Sequence, residues 1–262
     1  MCGRYASSAN PDDLVDLFDI DEVDDDLPEA SYNVAPTDRV PAVLARAVRA
    51  DPAGATGGAD AAGGSASVVR RLRPLRWGLV PSWAKDVSIG SRMINARLET
   101  VAEKPAFRKA FAARRCLLPA DGYYEWYGLS EQKSATGKPR KQPFFIHRAD
   151  GGPLVMAGIY EYWKNPAAEP GTDPWVLSCS VITTTATDAA GHIHDRMPMV
   201  IGSSAWSSWL DPSLTDPDAA RELLQVTEAD QLEAYAVSTL VNSVRNTGPE
   251  LVAPIEAAGE IG

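Results

Sequence analysis

The sequence has no long apolar run and few cysteines, and both shortages limit what the protein can be. No segment reaches the roughly 18–20 consecutive apolar residues that a membrane-spanning helix requires. The opening residues, MCGRYASSANPDD, lack the apolar segment of a secretory signal peptide. Three cysteines cannot all be paired within one chain, so at least one thiol is free. We therefore expect a protein of the cytoplasm or nucleoid with no membrane partner.

Positive charge is also scarce, with 25 Lys and Arg against 35 Asp and Glu and a formal net charge of −10. The excess is local, because ten acidic residues and no basic ones lie between Asp12 and Glu29. The rest of the chain is neutral, and a neutral body can still carry a cationic groove for nucleic acid. We interpret the acidic residues that follow Phe18 as a solvated loop, and the basic run at 70–76 as a solvated face or a peripheral DNA track.

The order of predicted elements favours an α+β fold. Asn10 before Pro11 predicts a helix start, with an amide cap and a proline in the first turn. Further helices are predicted near 105–115, 206–210 and 219–226. Runs rich in β-branched and aromatic residues predict strands at 39–48, 67–81, 116–129, 142–149, 153–163, 175–187 and 232–238. Because strands and helices do not alternate regularly, we expect a largely antiparallel, curved sheet or barrel with a few peripheral helices.

One domain is expected over residues 2–252, followed by a C-terminal tail at 253–262. Residues 50–67 are rich in Gly and Ala and lack aromatic side chains, so they predict a flexible insertion. This insertion separates the strand-like runs at 39–48 and 67–81, which we expect to pair with each other as a long hairpin.

Residue 2 is a cysteine, and loss of Met1 would leave its α-amine and thiol as a 1,2-aminothiol. An α-amine has a pKa near 7.7–8.0, against about 10.4 for lysine, so far more of it is the free base at neutral pH. The amine can attack an aldehyde to give an imine, and the thiol can then close a five-membered thiazolidine. The thiol could instead attack an acyl carbon, as in N-terminal nucleophile amidohydrolases, or Cys2 could be inert.

Seven short motifs occur along the chain in this order: MCGR, YNVAP, WGLVPSW, MINARLET, ADGYYEWY, QPFFI and HIHDRMPMV. Together they resemble the SOS-response-associated peptidase (SRAP) family of abasic-site crosslinking proteins, over residues 2 to about 252. The resemblance implies a single SRAP-like domain. It also implies covalent capture, by the N-terminal cysteine, of the ring-opened aldehyde of an abasic site in single-stranded DNA.

The same motifs imply four catalytic residues, namely the nucleophile Cys2, the acid/base Glu125, the imidazole His194 and the orienting amide Asn95. Opening the sugar hemiacetal and dehydrating a carbinolamine both require a proton shuttle. We expect the apolar neighbours of Glu125 to raise the pKa of its carboxyl, and His194 suits protonation of a sugar oxygen. The amide of Asn95 can both donate and accept a hydrogen bond.

His192 and His194 would share one face if their stretch were a strand, so a metal-binding pair is an alternative. No third and fourth ligands lie at a recognisable spacing. We therefore expect neither a metal nor another cofactor.

Holding a DNA strand requires arginines for phosphates and aromatic rings for bases. Arg4, Arg97 and Arg196 each lie two residues from a proposed catalytic position, so on strands they would share its face. We predict that they bind phosphates beside the lesion, the alternative being ion pairs with Asp or Glu. The resemblance adds three strand-gripping and base-stacking positions, Asn33, Pro36 and Trp83.

Three functions are therefore compared. The first is a nucleoid-associated monomer that crosslinks to and shields abasic sites, with lyase activity as a side reaction. The second is an N-terminal-cysteine peptidase or amidohydrolase, whose only peptide cleavage could be its own removal of Met1. The third is a non-covalent reader of single strands or modified bases.

Overall fold

Strands contain more residues than helices in the computed structural model, which describes residues 2–48, 67–133, 139–186, 192–224 and 231–256. In chain order they are β1 (Tyr5–Ser7), β2 (Glu22–Val23), β3 (Ser31–Val34), β4 (Arg39–Val48), β5 (Ser67–Trp77), β6 (Asn95–Arg97), β7 (Arg115–Ala120), β8 (Gly122–Lys133), β9 (Pro139–Arg148), β10 (Leu154–Lys164), β11 (Trp175–Thr185), β12 (Arg196–Pro198) and β13 (Leu232–Ala236). The α-helices are α1 (Pro11–Phe18), α2 (Arg108–Ala113), α3 (Trp206–Leu210) and α4 (Pro217–Glu222).

Five strands close into a barrel. Strands β5, β4, β7, β10 and β11 pair in that order, each antiparallel to the next. A parallel pairing of β11 with β5, which sets Ser178 opposite Arg76, joins the last strand to the first. Closure satisfies the edges that an open sheet would leave exposed. The expected α+β fold with a largely antiparallel barrel is therefore confirmed.

A second antiparallel sheet, in the order β13, β9, β8, β1 and β3, carries the start of the chain. Strand β1 lies between β8 and β3, and Tyr5 pairs with Tyr123 on one side and Val34 on the other. Tyr5 also packs edge to face on Trp77 of the barrel, with ring centroids 5.0 Å apart. The N-terminal residues are thus held where the second sheet meets the barrel.

The predicted helix at Pro11 and the predicted hairpin are confirmed. Asn10 caps α1 by accepting a hydrogen bond from the Asp12 amide at 3.0 Å, and Phe18 packs on Trp206. Strands β4 and β5 pair along their whole length. The insertion that separates them falls outside the described residues, apart from its last position, residue 67.

Helices α2 and α4 differ from the predicted bounds. Helix α2 begins at Arg108, because residues 104–107 form turns before it, and α4 begins at Pro217 behind the capping carboxylate of Asp216. Among the described residues, no helix is long and apolar enough to cross a membrane.

The expectation that the acidic residues after Phe18 form a solvated loop is wrong at residues 22 and 23. Strand β2 lies there, parallel to β5, and its carboxylates face the basic run. Asp24 pairs with Arg73 at 2.7 Å and with Arg71 at 3.3 Å, and Glu22 pairs with Arg46 and Arg71. Charge pairing across the strands orders this segment, so these arginines are neutralised by the chain itself.

Candidate functional site

Cys2 lies in the seam between the two sheets and is fully buried. Its carbonyl oxygen accepts a hydrogen bond from Asn95 Nδ2 at 2.7 Å, and its sulfur lies 4.0 Å from the Arg4 carbonyl oxygen. Asn95 begins β6, which pairs in parallel with β11 of the barrel at Val181. Cys2 and Asn95, which lie far apart in the sequence, are thereby brought into contact.

Burial raises the pKa of the Cys2 thiol well above its usual value, and the nearby Glu125 carboxylate raises it further. The resting sulfur is therefore a protonated thiol. Because the thiolate is the reactive form of cysteine, sulfur attack must wait for a step that removes this proton. The site does not favour chemistry in which the thiol acts first.

Glu125 lies on β8 opposite Phe144, with only 4% of its surface exposed. Burial raises the pKa of its carboxyl, and the positive charge of His194 partly opposes the rise. The expected upward shift is confirmed. A carboxyl with a raised pKa exchanges protons closer to neutral pH than an exposed glutamate does, as general acid–base catalysis requires.

His194 precedes β12, with its Nδ1 atom between a donor and an acceptor. The backbone N–H of Arg196 lies 3.0 Å from Nδ1, and the Asp195 carboxylate lies 2.8 Å from it. The first contact suits an unprotonated Nδ1 and the second suits a protonated one, and both hold the ring in position before β12.

The strand on which a metal pair depended is absent from this stretch. His192 is exposed in a short helical turn, so it does not share a strand face with His194. Within the described ranges, no group of three or more His, Cys, Asp or Glu side chains could hold a metal ion.

Asn95 presents two different atoms to the site. Its Nδ2 atom holds the Cys2 carbonyl, while its buried Oδ1 atom has no hydrogen-bond partner among the described residues. A buried acceptor left unpaired is costly. The amide thus fixes the chain at residue 2 and leaves one acceptor for a donor that a ligand could bring.

Arg4 and Asn33 make hydrogen bonds to other residues of the protein. Arg4 Nη1 donates to Asn33 Oδ1 at 2.7 Å and to the Val241 carbonyl at 2.9 Å. Asn33 is 1% exposed, and its Nδ2 atom lies 2.7–3.2 Å from the carbonyl oxygens of Val241, Ser243 and Asn246. Both side chains therefore fasten the C-terminal segment beside the site.

The other two predicted phosphate ligands differ in exposure. Arg196 is buried, and it donates to both Glu99 carboxylate oxygens, at 2.6 and 3.0 Å, and to the Thr183 carbonyl. Arg97 is exposed, and its guanidinium makes no hydrogen bond or ion pair with any residue that the structure describes. Asn95 and Arg97 lie on the same side of β6, as strand alternation predicted, while Ala96 is buried on the other.

Trp83 presents an exposed ring on a fixed loop. It is 59% exposed, and the next residue, Ala84, accepts a hydrogen bond from the Trp163 indole at 2.7 Å. Pro36 is half-buried and precedes Thr37, whose positive φ of 82° bends the chain. A large ring held in solvent by an anchored backbone suits stacking on a base.

Sequence reasoning did not single out two aromatic residues of β8. The Arg4 guanidinium lies over the Trp126 ring, with the guanidinium carbon 5.9 Å from the ring centroid, and the Trp126 indole N–H donates to Asn242 Oδ1 at 2.7 Å. Tyr123 is fully buried beside Cys2. The period of two in GYYEWYG, which sets Tyr123 and Glu125 on one face, was the signal that could have found Tyr123.

Known proteins resemble this chain along most of its length. The family model described as SOS response associated peptidase (SRAP) matches residues 1–244. Abasic site processing protein YoqW of Bacillus subtilis (strain 168) is 39% identical over 256 residues, which cover 96% of this chain and 99% of that protein. Abasic site processing protein HMCES of Pongo abelii is 31% identical, covering 86% and 65% respectively. A solved protein from Bacteroides thetaiotaomicron shares the fold, with a TM-score of 0.72 at 23% identity, over 97% of this chain and 100% of that one.

Proposed function

This chain belongs to the SOS response associated peptidase family, and on that premise we propose that it captures abasic sites in single-stranded DNA through Cys2. One observation carries the proposal. The carbonyl oxygen of Cys2 accepts a hydrogen bond from Asn95 in a buried site. The Glu125 carboxylate raises the pKa of the Cys2 thiol, and the charge of His194 acts on the Glu125 carboxyl. The relatives named abasic site processing proteins support the same class of substrate.

The reaction begins when Met1 is removed and Cys2 becomes the N-terminal residue. Its α-amine attacks the aldehyde carbon of the ring-opened sugar, and a carbinolamine forms. Glu125 gives a proton to the carbinolamine hydroxyl, which leaves as water while the carbon–nitrogen double bond forms, and Glu125 then takes the proton from the nitrogen to leave a neutral imine. The thiol then adds to that carbon: the sulfur–carbon bond forms, and the thiol proton is transferred to the nitrogen. The product is a thiazolidine, one water lighter than its reactants.

The protonation state of the site supports this order of events. Burial and Glu125 keep the Cys2 sulfur protonated at rest, so the amine is the better first nucleophile. A peptidase that attacks peptides with its sulfur would need the opposite arrangement, a thiol with a lowered pKa. We therefore propose no peptide cleavage beyond the single removal of Met1, and we assign lyase activity to elimination from the imine.

The same proposal gives the DNA contacts distinct roles. Arg97 binds a phosphate beside the lesion and Trp83 stacks on a neighbouring base, since both are exposed. Arg4 and Arg196 make their hydrogen bonds to the chain itself, so they position the backbone around the site. Asn33 and Pro36 shape the backbone beside the same site. The protein acts as a monomer whose working domain is residues 2–252.

The test is to mix the protein with a single-stranded oligonucleotide that holds one abasic site and to run a denaturing gel. We expect a covalent adduct that needs no borohydride and is lost in Cys2→Ala. Cys2→Ser keeps the amine, so it gives an adduct only after borohydride reduction. Cys116→Ala, which removes another buried thiol, is the matched control and retains the adduct.

Three results would contradict the proposal. A borohydride-independent adduct of normal yield in Cys2→Ser would exclude the thiazolidine. Binding of the oligonucleotide with no adduct in the unsubstituted protein would identify a non-covalent reader instead. Cys2-dependent turnover of unrelated peptides would identify a peptidase.

A further inference from the structure

Tyr123 carries a hydroxyl that the fold leaves unpaired. The residue is fully buried, and its Oη atom has no hydrogen-bond partner among the described residues. The adjacent Tyr124, on the opposite face of β8, donates its hydroxyl to the Tyr32 carbonyl at 2.7 Å. The structure thus satisfies one of two neighbouring phenols and not the other. A phenylalanine would fill the same space as Tyr123 without a buried donor, so the unpaired hydroxyl carries a free-energy penalty.

The position of Tyr123 relates this hydroxyl to the reacting groups. Residues two apart on a strand share a face, so Tyr123 lies on the Glu125 side of β8. Tyr123 and Cys2 are members of the same buried cluster. Across the ladder, Tyr123 pairs with Tyr5, three residues after Cys2. Burial raises the pKa of the Tyr123 phenol, and the charges of Cys2 and Glu125 raise it further, so the three groups are electrostatic neighbours.

We propose that the Tyr123 hydroxyl donates a hydrogen bond to the Cys2 sulfur while the thiol adds to the imine carbon, and that Tyr123 is therefore a catalytic residue for ring closure. This inference rests on the proposed function. It concerns the second bond-forming step alone, because the amine attack that precedes it does not involve the sulfur.

The chemistry of that step requires such a donor. As the sulfur–carbon bond forms, the thiol proton passes to the imine nitrogen, and the sulfur carries negative charge in between. A buried thiolate beside Glu125 is strongly disfavoured, as the raised pKa of the Cys2 thiol shows. A hydrogen bond donated by the Tyr123 hydroxyl offsets this cost while the charge develops. Burial also raises the pKa of Tyr123, so the phenol keeps its proton and stays a donor throughout.

The donor acts selectively on the transition state. Before the step the sulfur is a neutral thiol and afterwards it is a neutral thioether, and both are weak acceptors. The hydrogen bond is therefore strongest when the sulfur is charged. An interaction that is stronger in the transition state than in either ground state increases the rate.

The experiment compares two adducts in the Tyr123→Phe variant mixed with abasic single-stranded DNA. Samples taken over time are quenched with and without borohydride, which separates the reducible imine from the stable ring. We expect the imine to form at the same rate as in the unsubstituted protein and the stable adduct to form about tenfold more slowly. The pH profile of ring closure should also move to higher pH, because the thiolate loses a stabilising donor.

Tyr124→Phe is the matched control, since it removes one hydroxyl from the next residue on the opposite face. It should leave the ratio of imine to stable adduct unchanged. Tyr123→Phe loses no hydrogen bond to any residue that the structure describes, so we expect its thermal midpoint to equal or exceed that of the unsubstituted protein.

The outcomes separate this inference from the proposed function. If the unsubstituted protein forms no adduct, the proposed function fails whatever Tyr123 does. If it forms the adduct and Tyr123→Phe closes the ring at the same rate, the inference is overturned and the function stands. An equal slowing of imine and ring formation would also overturn it, because the hydroxyl would then act before the sulfur does.

Discussion

Replacing Asn33 with alanine should destabilise the fold, because this amide joins β3 to the C-terminal segment. Its Nδ2 atom faces the carbonyls of Val241, Ser243 and Asn246, and its Oδ1 atom accepts from Arg4. The amide has two hydrogens, which supply two bonds of about 1 kcal/mol each, and the charged bond from Arg4 adds roughly 1.5–3 kcal/mol. The expected loss is about 4 kcal/mol in the free energy of unfolding, or about 10 °C in Tm.

Urea denaturation followed by tryptophan fluorescence measures this loss. Asn242→Ala is the matched control, because it removes an exposed amide from the same segment and should cost about 1 kcal/mol or less. Asn33→Asp keeps an acceptor for Arg4 but sets a carboxylate against three carbonyls, so it should also be destabilised. The reasoning is refuted if Asn33→Ala unfolds like the control while its DNA affinity falls, since Asn33 would then be a DNA ligand rather than a tie.

Three further substitutions test the site. Glu125→Gln should slow crosslinking and also stabilise the protein near neutral pH. Burial raises the pKa of the Glu125 carboxyl in the folded state, so ionising it destabilises the fold as the pH rises from the ordinary pKa of glutamate through the raised one. The thermal midpoints of the variant and the unsubstituted protein should therefore converge at acid pH. Trp83→Ala should weaken single-stranded DNA binding about tenfold in a fluorescence-anisotropy titration, whereas Trp175→Ala, another exposed tryptophan, should not. Arg97→Ala should reduce the slope of log affinity against log salt by about 1 without changing stability. Arg196→Ala should lower the thermal midpoint, because it removes the two-point ion pair with Glu99 and the hydrogen bond to the buried Thr183 carbonyl. Equal midpoints for these two arginine variants would contradict the assignment.

The local parts of the fold could be predicted from sequence because they depend on short-range patterns. Asn10 and Pro11 mark the first helix, and alternation at residues 95–97 sets Asn95 and Arg97 on one side of β6. Barrel closure depends on the parallel pairing of β11 with β5, between residues about a hundred positions apart. No local pattern encodes such a pairing.

The candidate site shows the same division. The motifs singled out Cys2, Asn95, Glu125 and His194, but their proximity follows from the way β6, β8 and the loop before β12 meet the start of the chain. Sequence spacing also could not show that Arg196 faces Glu99 while Arg97 faces solvent. Both lie two residues from a proposed catalytic position, and long-range packing alone decides which one the chain covers.

The central claim is that the nitrogen and sulfur of a processed Cys2 trap a sugar aldehyde, and the intact mass of the adduct tests it most directly. After incubation with an abasic oligonucleotide, we expect a species equal to the protein without Met1 plus the oligonucleotide minus one water, with the linkage at residue 2 after digestion. An adduct on protein that retains Met1, or one that maps to a lysine, would contradict the account.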